Sequence, residues 1–231
     1  MNKQYLKDQI GRFVAIYELK LKPVFDNIDI EAEEHGNKFF EEALQYSHPD
    51  AIDRSDIAEA AMDRAYKHWD LLNHGKYVLL ASWHVALYEA FEQQVRSYLF
   101  KELSHDYRFE LRQFLSKFKD FKKVFLLYGV DLKSLQGLKQ IEQLGLLCNV
   151  IKHGDGNSAI ELRRKRPDLF KMIDDAELLD IFGSSLLEEA LAISEATLIQ
   201  FGKEIEAFWD SFPERSFCDE TDKLMELLNK Q

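Results

Sequence analysis

The stretch CNVIKHGDG, residues 148–156, holds the side chains of this chain that are best suited to acid–base chemistry. Asn149 and His153 are four residues apart and would share one face of a helix. An imidazole titrates near neutral pH, and a helix C-terminus favours its protonated form. His153, with Asn149 and Lys152 beside it, could therefore act as a general acid/base on a phosphate ester. Alternatively, Lys152 and His153 only cap the last carbonyls of a helix that ends at Gly154.

A short basic run, ELRRKRPDLF, follows the Gly-rich turn. Its bases form a local positive spot in an acidic chain, which could hold a phosphate, an RNA strand or an acidic protein surface. Arg163, Arg164 and Arg166 are the candidate phosphate-binding residues. The alternative is a solvated basic turn of helix whose charge is neutralised by Glu161 and Asp168.

A second basic run, KFKDFKK at 117–123, alternates Lys with Phe. Aromatic and basic side chains in alternation can form a stacking platform for nucleotide bases. The same pattern is more typical of an amphipathic helix whose lysines extend their charged ends to water. We therefore expect a helix here.

The elements that must position these residues are helices. The chain of 231 residues contains only 10 Gly and 4 Pro, and 46% of its residues are apolar. The most hydrophobic segment, Lys76–Leu103, is predicted as the central helix. Leu132–His153 shows apolar residues at steps of three and four, and is predicted to pack on it.

Other segments with helical spacing extend over the rest of the chain, so the predicted fold is an all-α multi-helix bundle. We expect a single domain, in which 1–50 is an N-terminal helical pair and 51–231 is the bundle. A turn is predicted at 47–50. The further predicted helices are Gln4–Leu21, Ser55–Leu72 (N-cap Ser55, C-cap Asn73-His74-Gly75), Tyr107–Phe118, Ser184–Phe212 and Asp219–Asn229. An acidic helix with Ile30, Phe39, Phe40 and Leu44 as its apolar positions precedes the turn, and a further segment lies at Phe121–Tyr128.

Charge and composition exclude several classes of function. The net charge of −11 and the pI near 5.2 disfavour non-specific binding of nucleic acid, although a local basic patch could still bind RNA. The two Cys residues are far apart, and no pattern indicates a metal or a cofactor. His84 is expected to be a core histidine. The longest apolar run is too short to span a bilayer, so we expect a cytoplasmic protein with no membrane segment.

The helix ALYEAFEQQVRSYL, followed later by a helix that ends in Asn-x-x-x-His and a Gly-rich turn, resembles the HEPN domain of prokaryotic defence and toxin–antitoxin systems. The family motif is an Arg, usually followed directly by a polar residue, and then a His. Asn149 matches the polar position and His153 the histidine. Cys148 stands where the motif has its Arg, so the site lacks that fork of donors.

The resemblance implies a bacterial defence or toxin–antitoxin protein that cleaves RNA without a metal, in a cleft formed by a homodimer. His153 would then be the general acid/base, Asn149 would position the phosphate or ribose, and Lys152 with Arg163 or Arg164 would stabilise the transition-state charge. The alternative is a non-catalytic helical adaptor or regulatory subunit that binds a cognate protein partner. The missing Arg and the acidic balance favour this alternative.

Overall fold

The computed structural model of the chain describes residues 2–46, 53–105, 118–214, 218 and 220–229. Its elements confirm the predicted all-α multi-helix fold, with one two-stranded hairpin among the described residues. The α-helices are α1 (Lys3–Ile16), α2 (Ile28–Tyr46), α3 (Arg54–Leu103), α4 (Phe118–Leu127), α5 (Leu138–His153), α6 (Asn157–Lys165), α7 (Leu178–Phe182), α8 (Glu195–Ser211) and α9 (Thr221–Asn229), and the strands are β1 (Met172–Ile173) and β2 (Ala176–Glu177).

The helices belong to two compact units. The larger unit comprises residues 1–15 and 81–231, and the smaller unit comprises residues 16–80. The predicted domain boundary at residue 50 falls inside the residue range of the smaller unit. These units do not test that boundary, so it remains a prediction. Helix α3 contributes its first half to the smaller unit and its second half to the larger one.

The larger unit has a core of interlocking aromatic rings. Phe91 of α3 and Phe208 of α8 meet edge to face, with ring centroids 5.2 Å apart. Trp209 is fully buried and donates its indole N–H to Gln94 Oε1 at 3.0 Å. Edge-to-face pairs stabilise the core beyond the burial of their area, and the indole N–H needs an acceptor when buried. The ring contacts of Phe91 and Tyr98 with Phe208, Trp209 and Phe212 therefore hold α3 and α8 together.

Helix α5 packs against the second half of α3, as its apolar spacing predicts. The Cys148 thiol lies 3.5 Å from the backbone oxygen of His84, and Lys152 forms an ion pair with Glu89 at 2.9 Å. His84 is completely buried, and its Nε2 lies 3.2 Å from Thr197 Oγ1 of α8. The prediction of a core histidine is thereby confirmed.

The smaller unit brings α2 and the first half of α3 into close contact. Gly36 is buried, and a Cβ atom at this position would lie 2.8 Å from the backbone oxygen of Ala61. The rings of His35 and His68 stack with centroids 4.4 Å apart. Trp69 donates its indole N–H to Asp29 Oδ1 at 2.9 Å. The absence of a side chain at Gly36 allows the two helix backbones to approach this closely.

The predicted helix end at Asn73-His74-Gly75 is wrong, because α3 runs without interruption for 50 residues. A glycine inside a helix costs about 1 kcal/mol relative to alanine. The buried residues Tyr77 and Leu80 continue the apolar spacing just beyond Gly75. Burial of these side chains outweighs the cost of the glycine, so the helix continues.

Other helix ends differ by several residues from their predicted positions. Asp53, not Ser55, accepts the backbone N–H at the start of α3. Helix α8 begins at Glu195, where Ser194 and Thr197 form a capping box, and not at Ser184. Helix α5 begins at Leu138 and not at Leu132, and α1 changes to a π-helical turn at Tyr17–Leu21. The predicted turn at 47–50 and nearly all of the predicted helix Tyr107–Phe118 lie outside the described residues.

Candidate functional site

Helix α5 ends at His153, as predicted, because Gly154 reverses the backbone. Gly154 has a φ of 71° and donates its N–H to the oxygen of Val150 at 2.8 Å. A Cβ atom here would lie 2.4 Å from the backbone oxygen of Gly183. Both the positive φ and this close approach require glycine. The Gly-rich turn therefore fixes the end of the helix that carries Asn149, Lys152 and His153.

The three predicted site residues of α5 are exposed at its surface. No side-chain hydrogen bond or ion pair joins Asn149 or His153 to another residue in the part of the chain that the structure describes. Lys152 pairs with Glu89, and both side chains are exposed. Exposed ion pairs of this kind contribute at most about 1 kcal/mol, so Lys152 could exchange Glu89 for another anion.

The position that the HEPN resemblance assigns to an arginine lies in the core. Cys148 is buried, and this burial raises the pKa of its thiol well above the ordinary value. A thiol held in its neutral form is a poor nucleophile and a poor ligand for a phosphate. Cys148 therefore packs between α5 and α3 and does not replace the missing Arg chemically.

Arg163 is held by three carboxylates. Its guanidinium binds Glu177 through Nε at 2.9 Å and through Nη2 at 2.7 Å. It also contacts Asp155 at 3.0 Å and Asp180 at 2.6 Å. These contacts join α6 to the Gly-rich turn, the β-hairpin and α7. Because its donors are already occupied, Arg163 serves here as a structural link.

The other two predicted phosphate-binding arginines differ from each other. Arg166 forms a two-pronged pair with Asp168, with Nε–Oδ1 at 2.8 Å and Nη2–Oδ2 at 2.7 Å. This hydrogen bonding lowers the pKa of the Asp168 carboxyl. Arg164 is exposed, and its side chain has no hydrogen bond or ion pair to any described residue. Of these two arginines, Arg164 alone offers an uncompensated charge to a ligand.

A surface groove lies beside Asn149 and Lys152, between α3, α4, α5 and α6, and has a volume of about 500 Å³. It includes Lys165 of the predicted basic run, and it adds Lys119 and Lys122, which the sequence did not single out as site residues. Lys122 pairs with Glu142 at 2.6 Å, and Lys165 pairs with Glu161 at 2.7 Å. The residues lining the groove are Tyr88, Glu92, Phe118, Lys119, Lys122, Glu142, Gly145, Leu146, Asn149, Lys152, Glu161 and Lys165.

Glu92 is the half-buried carboxyl group of this groove. It accepts the backbone N–H of Phe118 at 3.3 Å and hydrogen bonds to the Tyr88 hydroxyl. Burial raises the pKa of the Glu92 carboxyl, although both hydrogen bonds act in the opposite direction. Burial and the neighbouring Glu92 also raise the pKa of the Tyr88 hydroxyl. The pair ties α3 to the start of α4.

The groove lysines could have been anticipated in part. The run KFKDFKK predicts an amphipathic helix, and α4 confirms it by burying Phe118, Phe121, Val124 and Phe125. The Phe side chains of α4 therefore cannot form a stacking platform for bases, while Lys119 and Lys123 are exposed and Lys122 is half-buried. What the run does not indicate is that α4 lies next to Asn149. That proximity depends on how α4 and α5 pack on α3.

Most positive charges of the candidate site are neutralised by neighbouring carboxylates. Lys122, Lys152 and Lys165 each have a carboxylate partner, and so do Arg163 and Arg166. A phosphate that binds here must displace these carboxylates. The arrangement thus offers exposed hydrogen-bonding groups at Asn149 and His153, without a concentrated positive field.

None of the known protein families matches this chain, and neither a curated protein nor a solved structure shows significant similarity to it. Among the described residues, no helix is both long enough and apolar enough to cross a membrane. Within the same ranges, no three His, Cys, Asp or Glu side chains come together as ligands for a metal ion.

Proposed function

We propose that this protein is a HEPN-like helical adaptor or regulatory subunit of a bacterial defence or toxin–antitoxin system, which acts by binding a basic protein partner. The observation that carries the proposal is the distribution of charge. Among the described residues, the cations of the predicted phosphate site are largely paired with carboxylates, whereas exposed carboxylates such as Glu33, Glu34 and Glu41 have no cation partner. A protein with this balance attracts basic surfaces and repels nucleic acid.

The ion pairs of Arg163 support this proposal. Glu177 retains only 14% of its side-chain exposure, so its contact with Arg163 is shielded from water. Moving Arg163 to an RNA phosphate would leave that carboxylate without its partner. Such a charged hydrogen bond is worth about 1.5–3 kcal/mol. The network therefore opposes the use of Arg163 as a phosphate ligand.

The proposal is tested by isolating the tagged protein from cells that produce it, with and without treatment by RNase and DNase. We expect a protein partner in stoichiometric amount that remains bound after nuclease treatment. Recovery of RNA alone, or loss of the partner on RNase treatment, would contradict the adaptor function. The Arg164→Gln variant serves as a control, because an adaptor of this kind should not depend on this exposed cation.

A second candidate function is metal-independent cleavage of RNA. The specific observation in its favour is that His153 and Asn149 are exposed on one face of α5 and have no side-chain partner among the described residues. His153 would take the proton of the ribose 2′-hydroxyl as this oxygen attacks phosphorus. The bond to the 5′-oxygen would break, leaving a 2′,3′-cyclic phosphate and a 5′-hydroxyl that receives a proton. Asn149 would orient the phosphate, and Lys152 with Arg164 would stabilise its charge.

The two functions are separated by incubating the purified protein with total RNA in EDTA, beside the His153→Ala variant. The adaptor function predicts the same intact RNA in both samples. Cleavage by the wild-type protein that is lost in the variant would establish the nuclease instead. Cleavage of equal strength in both samples would point to a contaminating nuclease, because the proposed chemistry requires the imidazole.

A further inference from the structure

The first half of α3 carries a stripe of exposed side chains that are normally buried. Met62, Tyr66 and Trp69 are spaced by four and three residues, so they lie on one face of the helix. Their exposures are 73%, 64% and 39%. The stripe extends over about 10 Å of the helix axis. It is long enough to receive two turns of a helix from a partner.

The two aromatic side chains of this stripe are held in place. The rings of Tyr66 and Trp69 stack with centroids 6.1 Å apart and an angle of 21° between their planes. The hydrogen bond from Trp69 to Asp29 fixes the indole against α2. Tyr and Trp are enriched among the residues that dominate binding energy, and ordered side chains lose little entropy on binding. Met62 adds a flexible apolar contact.

The smaller unit, which carries the stripe, is strongly acidic. Residues 16–80 contain fourteen Asp and Glu against seven Lys and Arg, which accounts for seven of the eleven net negative charges of the chain. Helix α2 contains six carboxylates and one lysine. Glu33, Glu34 and Glu41 of this helix are exposed, and their side chains form no hydrogen bond or ion pair with a described residue.

We infer that the Met62–Tyr66–Trp69 stripe, together with the carboxylates of α2, binds a basic amphipathic helix of a partner protein. The apolar face of that helix covers the stripe, and its Lys and Arg side chains meet the carboxylates. Charge complementarity selects this occupant, because RNA and a second copy of this acidic unit are both repelled. The inference rests on the proposed adaptor function and names the class of its partner.

The test uses the full chain and a labelled Leu/Lys amphipathic helical peptide, with binding followed by fluorescence anisotropy. The Met62→Ser/Tyr66→Ser variant should weaken binding about tenfold or more, since it replaces two of the three apolar side chains of the stripe with polar ones. Leu126→Ser is the matched control, because Leu126 is 58% exposed but lies on α4 of the larger unit. It should bind the peptide as the wild-type protein does.

The charge of the surface is tested in the same way. The Glu33→Gln/Glu34→Gln/Glu41→Gln variant should weaken binding and reduce its dependence on salt. The Asp174→Asn/Asp175→Asn/Glu188→Gln variant changes the net charge equally, on exposed residues of the larger unit. Equal losses in both variants would mean attraction to overall charge, and would overturn the inference.

The outcomes also separate this inference from the proposed function. Unchanged peptide binding by the Met62→Ser/Tyr66→Ser variant would overturn the assignment of the stripe as the binding surface. A homodimer that depends on the stripe would overturn it too. In both cases the proposed adaptor function would stand. Cleavage of RNA that requires His153 would overturn the adaptor function itself. All variants replace exposed side chains, so near-native circular dichroism is expected for each of them. Because stripe and charge are altered in separate variants, failure of one to fold leaves the other as the test.

Discussion

Trp209 of the larger unit and Trp69 of the smaller unit show how differently the two units treat their apolar side chains. Trp209 is completely buried among aromatic rings, and its indole N–H is bound by Gln94. Trp69 is 39% exposed, and its indole N–H reaches a surface carboxylate, Asp29. The first side chain stabilises the fold, whereas the second is available to a partner.

The same difference holds across both units. Among the described residues of the smaller unit, nine large apolar side chains are exposed and seven apolar residues are buried, two of them alanines. In the larger unit, fully buried Phe, Leu and Ile side chains extend through α3, α5 and α8. Burial of apolar area is the main source of stability. We therefore expect the smaller unit to open at a lower free energy than the larger one.

The largest expected effect compares the two tryptophans. Trp209→Ala should lower the free energy of unfolding by about 3–5 kcal/mol, because it creates a cavity among packed rings. Trp69→Ala should lower it by about 1 kcal/mol, because it removes a half-exposed ring and one surface hydrogen bond. Urea unfolding followed by circular dichroism measures both values. Similar losses in the two variants would contradict the contrast between the units.

A smaller effect is expected from Gly36→Val, which acts on the smaller unit. Its side chain would meet the backbone oxygen of Ala61, 2.8 Å from the Cβ position, and the Cβ of Ala65 at 2.9 Å. Overpacking of this kind costs about 1–3 kcal/mol. Hydrogen exchange should show faster exchange in α2 and the first half of α3, with α5 and α8 unchanged. Faster exchange throughout the chain would mean that the units do not open separately.

Arg163 and Arg164 allow a similar comparison at the candidate site. Arg163→Gln should cost about 1.5–3 kcal/mol of stability, because it leaves Glu177 without its charged partner. Arg164→Gln should change stability by less than about 0.5 kcal/mol, because that side chain is exposed and has no partner among the described residues. Thermal unfolding at two salt concentrations measures both. Equal effects would show that the network around Arg163 is not structural.

The sequence predicts most of the larger unit because its signals are local. Helical spacing and Gly154 suffice to place the end of α5 at His153, since a glycine that adopts a positive φ ends a helix. The same local rules fail at Gly75. There the apolar residues beyond the glycine decide the outcome, and their burial depends on tertiary packing.

The ionic partners of the site could not be predicted from spacing. Arg163 binds Glu177 and Asp180, which lie 14 and 17 residues further along the chain. They reach it because a hairpin between β1 and β2 turns the chain back at Asp174, a non-glycine residue with a φ of 52°. Aspartate tolerates this left-handed conformation better than most residues, but two adjacent aspartates are not a pattern that predicts a hairpin. A basic run thus indicates charge, and only the fold determines whether that charge is available.

The smallest expected effect concerns Glu92 and sharpens the contrast between buried and exposed carboxyl groups. Burial in the larger unit raises the pKa of Glu92, so the folded protein binds a proton at this site more tightly than the unfolded chain does. Ionisation of Glu92 therefore costs stability as the pH rises from the ordinary glutamate pKa, about 4.3, through the raised value. Glu92→Gln keeps an oxygen that can accept the Phe118 N–H and removes this cost. The variant should be more stable than the wild-type protein at neutral pH, with the difference disappearing below about pH 4.

The matched control for this prediction is Glu33→Gln in the smaller unit, which removes an exposed charge that no described side chain contacts. Urea unfolding at a series of pH values measures the stability difference for each variant. A gain for Glu92→Gln that is constant with pH would show that the amide simply packs better than the carboxylate. An equal, pH-dependent gain for Glu33→Gln would show that the cause is the overall negative charge of the chain, which both substitutions reduce by one. A stability gain that appears only for Glu92→Gln, and only above the ordinary glutamate pKa, would instead show that burial of this side chain between α3 and α4 is what makes its ionisation destabilising.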